Sequence, residues 1–151
     1  MSILLTHSCQ YKLDLSLKYF ESMLIEEQFK SMFDCDIVML SHGAGEINLI
    51  YLKPYSVVIE GDPDLFFEAY GSTMASSARA YFIQLNNQNT SIKLEECTYM
   101  YLREGSPCKK KVIYTDLHIS VDYIRSSLNE AIRYLDSIDF DQYRPDSHFI
   151  L

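Results

Sequence analysis

Basic side chains are scarce: 13 Lys and Arg stand against 21 Asp and Glu, for a formal net charge of −8. A dedicated binder of DNA, RNA or anionic membrane needs the opposite balance, because Lys and Arg replace the counterions of phosphate. The four cysteines, Cys9, Cys35, Cys97 and Cys108, include no CxxC pair and no matching histidine spacing. Neither a zinc motif nor a disulfide framework is expected from them, and no metal is expected. No stretch approaches the roughly 20 apolar residues that span a bilayer, so no membrane segment is expected. The start, Met1 to Cys9, has an Ile-Leu-Leu run but no basic segment before it. It does not read as a secretory signal, and no other anchor is visible. Internal repeats are also lacking. What is present is a hydrophobic fraction of 48%, with 12 Tyr and 8 Phe in 151 residues. That composition belongs to an ordered chain of one domain with a real core.

The clearest pattern runs from Leu24 to Leu85. Leu24, Ile25, Gln28, Phe29, Met32 and Phe33 recur at helical spacing and predict an amphipathic helix. Its Glu26 and Glu27 read as a solvated first turn. Ile37 to Leu40 and Ser56 to Glu60 are short continuous apolar runs, as expected for strands covered on both faces. Between them Ile47, Ile50 and Tyr51 suggest a short helix stopped by Pro54. Asp62-Pro63 reads as a helix start, Asp62 capping and Pro63 in the first turn, with Phe66, Ala69, Tyr70, Thr73 and Met74 on the inner face. Ala80 to Leu85 predicts another strand. Strands alternating with helices favour a parallel sheet with helices on its faces.

The pattern dissolves over 86–111, a polar stretch ending in Lys109 to Lys111, with a short element suggested at Thr98 to Leu102. A strand and helix are expected over 112–138, the helix running from Val121 to Leu135 with Ser120 as its cap and Val121, Ile124, Leu128, Ala131, Ile132 and Leu135 on one face. The tail after Phe140 is expected to fray or to pack on a missing neighbour. Asn89-Thr90-Ser91 is a glycosylation sequon, meaningful only in a secretory lumen.

Only five glycines occur, and two lie in His42-Gly43-Ala44-Gly45, directly after the first predicted parallel strand. Ligands of such sheets gather at the carboxyl ends of the strands, where both His42 and Glu60 are expected. A glycine turn feeding a helix N-terminus offers backbone donors to a phosphate, and His42 adds a hydrogen bond or a charge. The same tetrapeptide also serves as a plain tight turn.

The segment from Met23 to Pro54, holding Glu26-Glu27-Gln28 and His42-Gly43-Ala44-Gly45, followed by Ser56-Val57-Val58-Ile59-Glu60, resembles family 61 glycosyltransferases. Asp116 to Leu135 is similar to the tail of the animal members that add N-acetylglucosamine to proteins. The resemblance covers about 19–85 closely and 112–135 loosely. It implies α/β architecture: a Rossmann-like parallel sheet flanked by helices, the C-terminal, donor-side half of a GT-B glycosyltransferase. It further implies that His42, Gly43, Ala44, Gly45, Asn48 and Glu60 face a nucleotide-sugar donor, with Glu60 toward the ribose. The implied reaction is inverting transfer from a donor such as a UDP-sugar to a protein or glycan hydroxyl, with no metal and no other cofactor. A base takes the acceptor proton, the oxygen attacks the anomeric carbon, and the nucleoside diphosphate leaves. No residue is singled out as that base. The family works in the ER and Golgi lumen, whereas this chain offers no signal or anchor that assigns a compartment.

In this sequence Glu46-Ile47 stands where the family commonly has Leu-Thr. From Ser31 to Ala78 seven acids face the single base Lys53, a poor setting for an anionic diphosphate. Two further classes therefore stay open: a non-catalytic remnant or interaction module with the same fold, and an unrelated small phosphate-binding α/β protein.

Overall fold

The computed structural model describes residues 2–6 (backbone only), 14–63, 69–87 and 116–138. Five strands form one sheet: β1 (Ser2–Thr6), β2 (Asp14–Lys18), β3 (Ile37–Ser41), β4 (Val57–Asp62) and β5 (Tyr81–Asn86). Their spatial order is β2-β1-β3-β4-β5. The predicted parallel unit is present: Ile37 lies beside Val57, and Val57 beside Tyr81, with all three strands running the same way. β1 and β2 were not anticipated. They extend the sheet as an antiparallel pair, β1 also running antiparallel to β3. The sheet is therefore parallel over three strands and mixed as a whole.

The apolar runs have the expected physical cause. Successive strand residues point to opposite faces, so a strand covered on both sides must be apolar at every position. Val38, Leu40 and Val58 pack on one face with Met32, Leu49 and Ala75, while Ile37, Val57, Ile59, Ile83 and Leu85 pack on the other with Ala131 and Leu135. Each such side chain contributes roughly 1.5–3 kcal/mol of transfer free energy when fully buried.

The first face is covered by α1 (Ile25–Phe33), a 3₁₀ helix (Ala44–Tyr51) and α2 (Tyr70–Ser77), the second by α3 (Val121–Ser137). Leu24 offers no side-chain cap to α1; instead Glu27 reaches back and accepts the Leu24 N–H at 3.0 Å. The α1 face is not the predicted one. Met32 is buried, but Leu24 is 71% exposed, Phe29 47% and Phe33 48%. Helical spacing says which residues share a face, not whether that face is covered. The 3₁₀ helix ends at Tyr51 ahead of Pro54, where the sequence placed its stop. For α3 the prediction holds except at Val121, a predicted inner-face residue that is 68% exposed. Ser120 Oγ accepts the Tyr123 N–H at 3.2 Å, and Ala131 and Leu135 are buried.

The Asp62-Pro63 expectation is corrected. Asp62 is the last residue of β4, buried, and α2 has Ala69 as its cap. An acid before proline signals a helix start in sequence, but here the strand continues two residues past Glu60. Tyr70 and Thr73 of the predicted inner face are exposed; Gly71 and Ala75, both small, are the buried positions, which lets α2 approach closely. Residues 116–120 carry no strand. Phe66, the expected strand residues 112–115, the expected element at Thr98 to Leu102, the lysine run, the sequon, the tail after Phe140 and Cys9, Cys97 and Cys108 lie outside the described residues. No helix among the described residues is long and apolar enough to cross a membrane.

Candidate functional site

The carboxyl ends of β3 and β4 build the site. His42 continues the parallel ladder one step past β3, its N–H donating to the Gly61 carbonyl at 2.9 Å. Gly43 then turns the chain with φ at 150°, a conformation that L side chains rarely adopt. The 3₁₀ helix starts at once, and its Glu46 carboxylate bends back to accept the Gly43 N–H. On β4 the period-two pattern places Glu60 and Asp62 on the same face, and Gln84 of β5 lies beside Glu60 in register.

These pieces converge on one imidazole. His42 Nδ1 is 2.6 Å from Glu60 Oε1, 2.8 Å from Glu46 Oε1 and 3.4 Å from Asp62 Oδ1. The Gln84 side-chain amide donates to Asp62 Oδ2. Glu46, Glu60 and Asp62 are all buried, and the His42 side chain is 10% exposed. Gly71 of α2 closes the cluster from above. A Cβ built there would collide with Glu60 Oε2 and lie 3.1 Å from Glu46 Oε2.

The electrostatics follow from this crowding. Burial alone would lower the His42 pKa, but the hydrogen bonds and charges of Glu46 and Glu60 outweigh it and raise it to about 10. Burial pushes Glu60 up to about 7, against the pull of His42 and with the repulsion of Asp62 and Glu46 added. Asp62 is also raised, first by burial. At neutral pH the imidazole is therefore held as imidazolium among carboxylates that repel one another. Among the described residues, two buried oxygens, Glu46 Oε2 and Asp62 Oδ1, accept no hydrogen bond.

Of the residues singled out in the sequence, His42 and Glu60 meet directly, although 18 positions apart. Gly43 joins them through Glu46. Ala44 and Gly45 are exposed on the turn, and Asn48 is buried within the 3₁₀ helix. Glu60 is 1% exposed and faces His42. The sequence marks Glu46 only as a departure from the family's Leu-Thr and as one of seven acids, and it points to Asp62 as a cap; Gln84 and Gly71 carry no signal. The alternation Val58, Glu60, Asp62 along a strand would have revealed Asp62. A separate groove of about 780 Å³ lies between β2 and α1, lined by Asp14, Lys18, Glu27 and Lys30 among others, and includes none of the site residues.

Fold and site thus define an α/β protein with a buried histidine–carboxylate cluster at the carboxyl end of a parallel sheet. Compared with models of known families, with curated proteins and with solved structures, the chain matches none of them.

Proposed function

We propose that this chain is the donor-binding α/β half of a glycosyltransferase of the family 61 type, with weak affinity for its nucleotide. One observation carries the reading. His42 and Glu60 come from separate pieces of the resembling motif and meet at the carboxyl ends of adjacent parallel strands, where open α/β sheets bind ligands. The exposed turn at Ala44 and Gly45, at the start of the 3₁₀ helix, suits a diphosphate. Glu60 acts by holding His42 in place and charged. In the reaction, the donor's anomeric carbon accepts the deprotonated hydroxyl and the nucleoside diphosphate departs onto this turn.

The alternative, an interaction module that keeps the fold without turnover, draws on Glu46. Its carboxylate occupies the Gly43 N–H and adds negative charge where a phosphate would sit. The two readings separate on Glu46→Leu. A charge at a partly buried helix end is worth up to about 2 kcal/mol, so UDP should bind roughly tenfold tighter or better once it is removed. Calorimetry of UDP in the presence of chelator, on wild type and Glu46→Leu, makes the comparison. Equal affinity, or no binding by either protein, favours the interaction module.

A further inference from the structure

We propose that His42, Glu60 and Asp62, with Glu46 on the remaining side, form a binding site for one divalent cation of the Zn²⁺ or Mn²⁺ type. The inference rests on the cluster alone and does not require that the chain bind a nucleotide. It departs from the expectation of no metal, which came from cysteine spacing and from the family resemblance, and which took Asp62 for a helix cap.

The geometry supports it first. His42, Glu60 and Asp62 each offer one ligand atom, and these atoms lie within 4.8 Å of one another. On a tetrahedron with bonds of 2.0–2.1 Å, neighbouring ligand atoms sit about 3.3–3.4 Å apart. The separation of His42 Nδ1 from Asp62 Oδ1 is 3.4 Å, already of that size. The His42–Glu60 and His42–Glu46 contacts are tighter, at 2.6 and 2.8 Å, because a shared proton draws the atoms closer than a shared metal would. A metal in place of the shared proton requires the Glu46 and Glu60 oxygens to part from Nδ1 by roughly 0.5–0.8 Å.

The second observation is independent of the clustering. Asp62 Oδ1 and Glu46 Oε2 are buried on side chains that are 3% and 0% exposed, and neither accepts a hydrogen bond from the described residues, Asp62 Oδ1 having the His42 ring at ion-pair distance, 3.4 Å. Buried polar atoms are ordinarily satisfied, and an orphaned one points to a missing ion or water. Asp62 Oδ1 is aimed at His42, inside the cluster. The other Asp62 oxygen is held by Gln84, which orients the carboxylate as an outer partner orients a ligand. Gly71 adds a cradle: its lack of a side chain leaves room for Glu60 Oε2 and Glu46 Oε2.

The donor set selects the ion. One imidazole with carboxylates suits Zn²⁺ or Mn²⁺ better than soft ions, which want thiolates, or Mg²⁺, which wants an octahedron of oxygens and retained water. Charge agrees: three carboxylates around one imidazole need a positive centre, and a dication supplies more than one proton does.

The test uses the chain stripped with chelator and then freed of it, without nucleotide. Zn²⁺ titrated by calorimetry should bind once per chain, more tightly than Mn²⁺, and far more tightly than Mg²⁺. Asp62→Asn keeps the shape and the Gln84 partner and should weaken Zn²⁺ by at least roughly 100-fold, beyond the 10–100-fold typical of outer-shell changes. Asp34→Asn, on the exposed surface, should leave it unchanged. Because a cluster variant can also perturb folding, wild type is examined separately. Substoichiometric Mn²⁺ should broaden backbone amide resonances at residues 42–46 and 60–62 before any others. Absence of binding, equal affinity in Asp62→Asn, or broadening centred on surface acids such as Asp34 or Glu130 would overturn the site.

Discussion

Replacing Gly71 by alanine sets two known effects against each other. Gly71 lies in the first turn of α2, and at an exposed helix position Gly→Ala stabilises by about 1 kcal/mol through helix propensity. At Gly71 the new methyl would collide with the Glu60 carboxylate and press on Glu46. Glu60 cannot simply swing away, because it is buried and holds the His42 imidazole at 2.6 Å. Overpacking of this kind costs about 1–3 kcal/mol, and a disturbed hydrogen bond to a charged group about 1.5–3 kcal/mol. The losses exceed the gain, and Gly71→Ala should unfold about 2 kcal/mol more easily. Urea denaturation followed by far-UV circular dichroism measures it, with Ser76→Ala on the exposed side of α2 as the comparison, expected within about 0.5 kcal/mol of wild type. A double-mutant cycle isolates the cause. In a Glu60→Ala background the collision with Glu60 is gone and only the close approach to Glu46 remains, so alanine at position 71 should cost clearly less than in wild type. A Gly71→Ala protein more stable than wild type would refute the packing of α2 over Glu60.

Other expectations follow from the same structure. His42→Ala leaves buried carboxylates without their cation and should cost about 3–5 kcal/mol by urea denaturation; a loss below 1 kcal/mol would mean the cluster is hydrated. Cys35 is buried, and burial raises its thiol pKa to about 12 from 9.0. Its neutral form is the one the fold accepts. Its contribution to stability is therefore full below pH 9 and declines as pH rises toward 12, a decline that Cys35→Ala should make shallower. Ser120→Ala removes the α3 cap and should cost about 1 kcal/mol in thermal or urea unfolding. Phe29 and Phe33 stack with ring centroids 5.8 Å apart on an exposed face of α1. That apolar face should drive self-association at high concentration, and the double change to serine should reduce it in sedimentation; association unchanged by it would refute this face as the source.

The parallel core was legible because burial on both faces leaves a continuous apolar run, as in Ile37–Leu40 and Val57–Ile59, while the edge strand from Tyr81 opens on Tyr-Phe-Ile and buries Ile83 and Leu85. The α3 helix was legible for a local reason, a serine cap ahead of an apolar stripe. Strands β1 and β2 carry weaker local signals than the parallel core: β2 alternates apolar and polar residues in a short Asp-Leu-Ser-Leu-Lys run, and the place of β1 beside β3 is set by a contact between distant segments. In the site, the turn at His42 and the strand-end Glu60 were readable, since glycines and an acid after an apolar run are local signals. Asp62 was misplaced because the Asp-Pro pair is a stronger local sign of a helix start than of a strand end. Glu46 stood out only as a departure from the family motif, since its bond to His42 depends on the tight turn at Gly43, which only the fold supplies.

The most direct test of the donor-half reading is a titration of the ¹⁵N-labelled chain with UDP, followed through backbone amide shifts. The account predicts saturable shifts centred on His42 to Asn48, weak in wild type and reached at lower UDP in Glu46→Leu. Shifts confined to the groove between β2 and α1, or none at millimolar UDP in either protein, would contradict it.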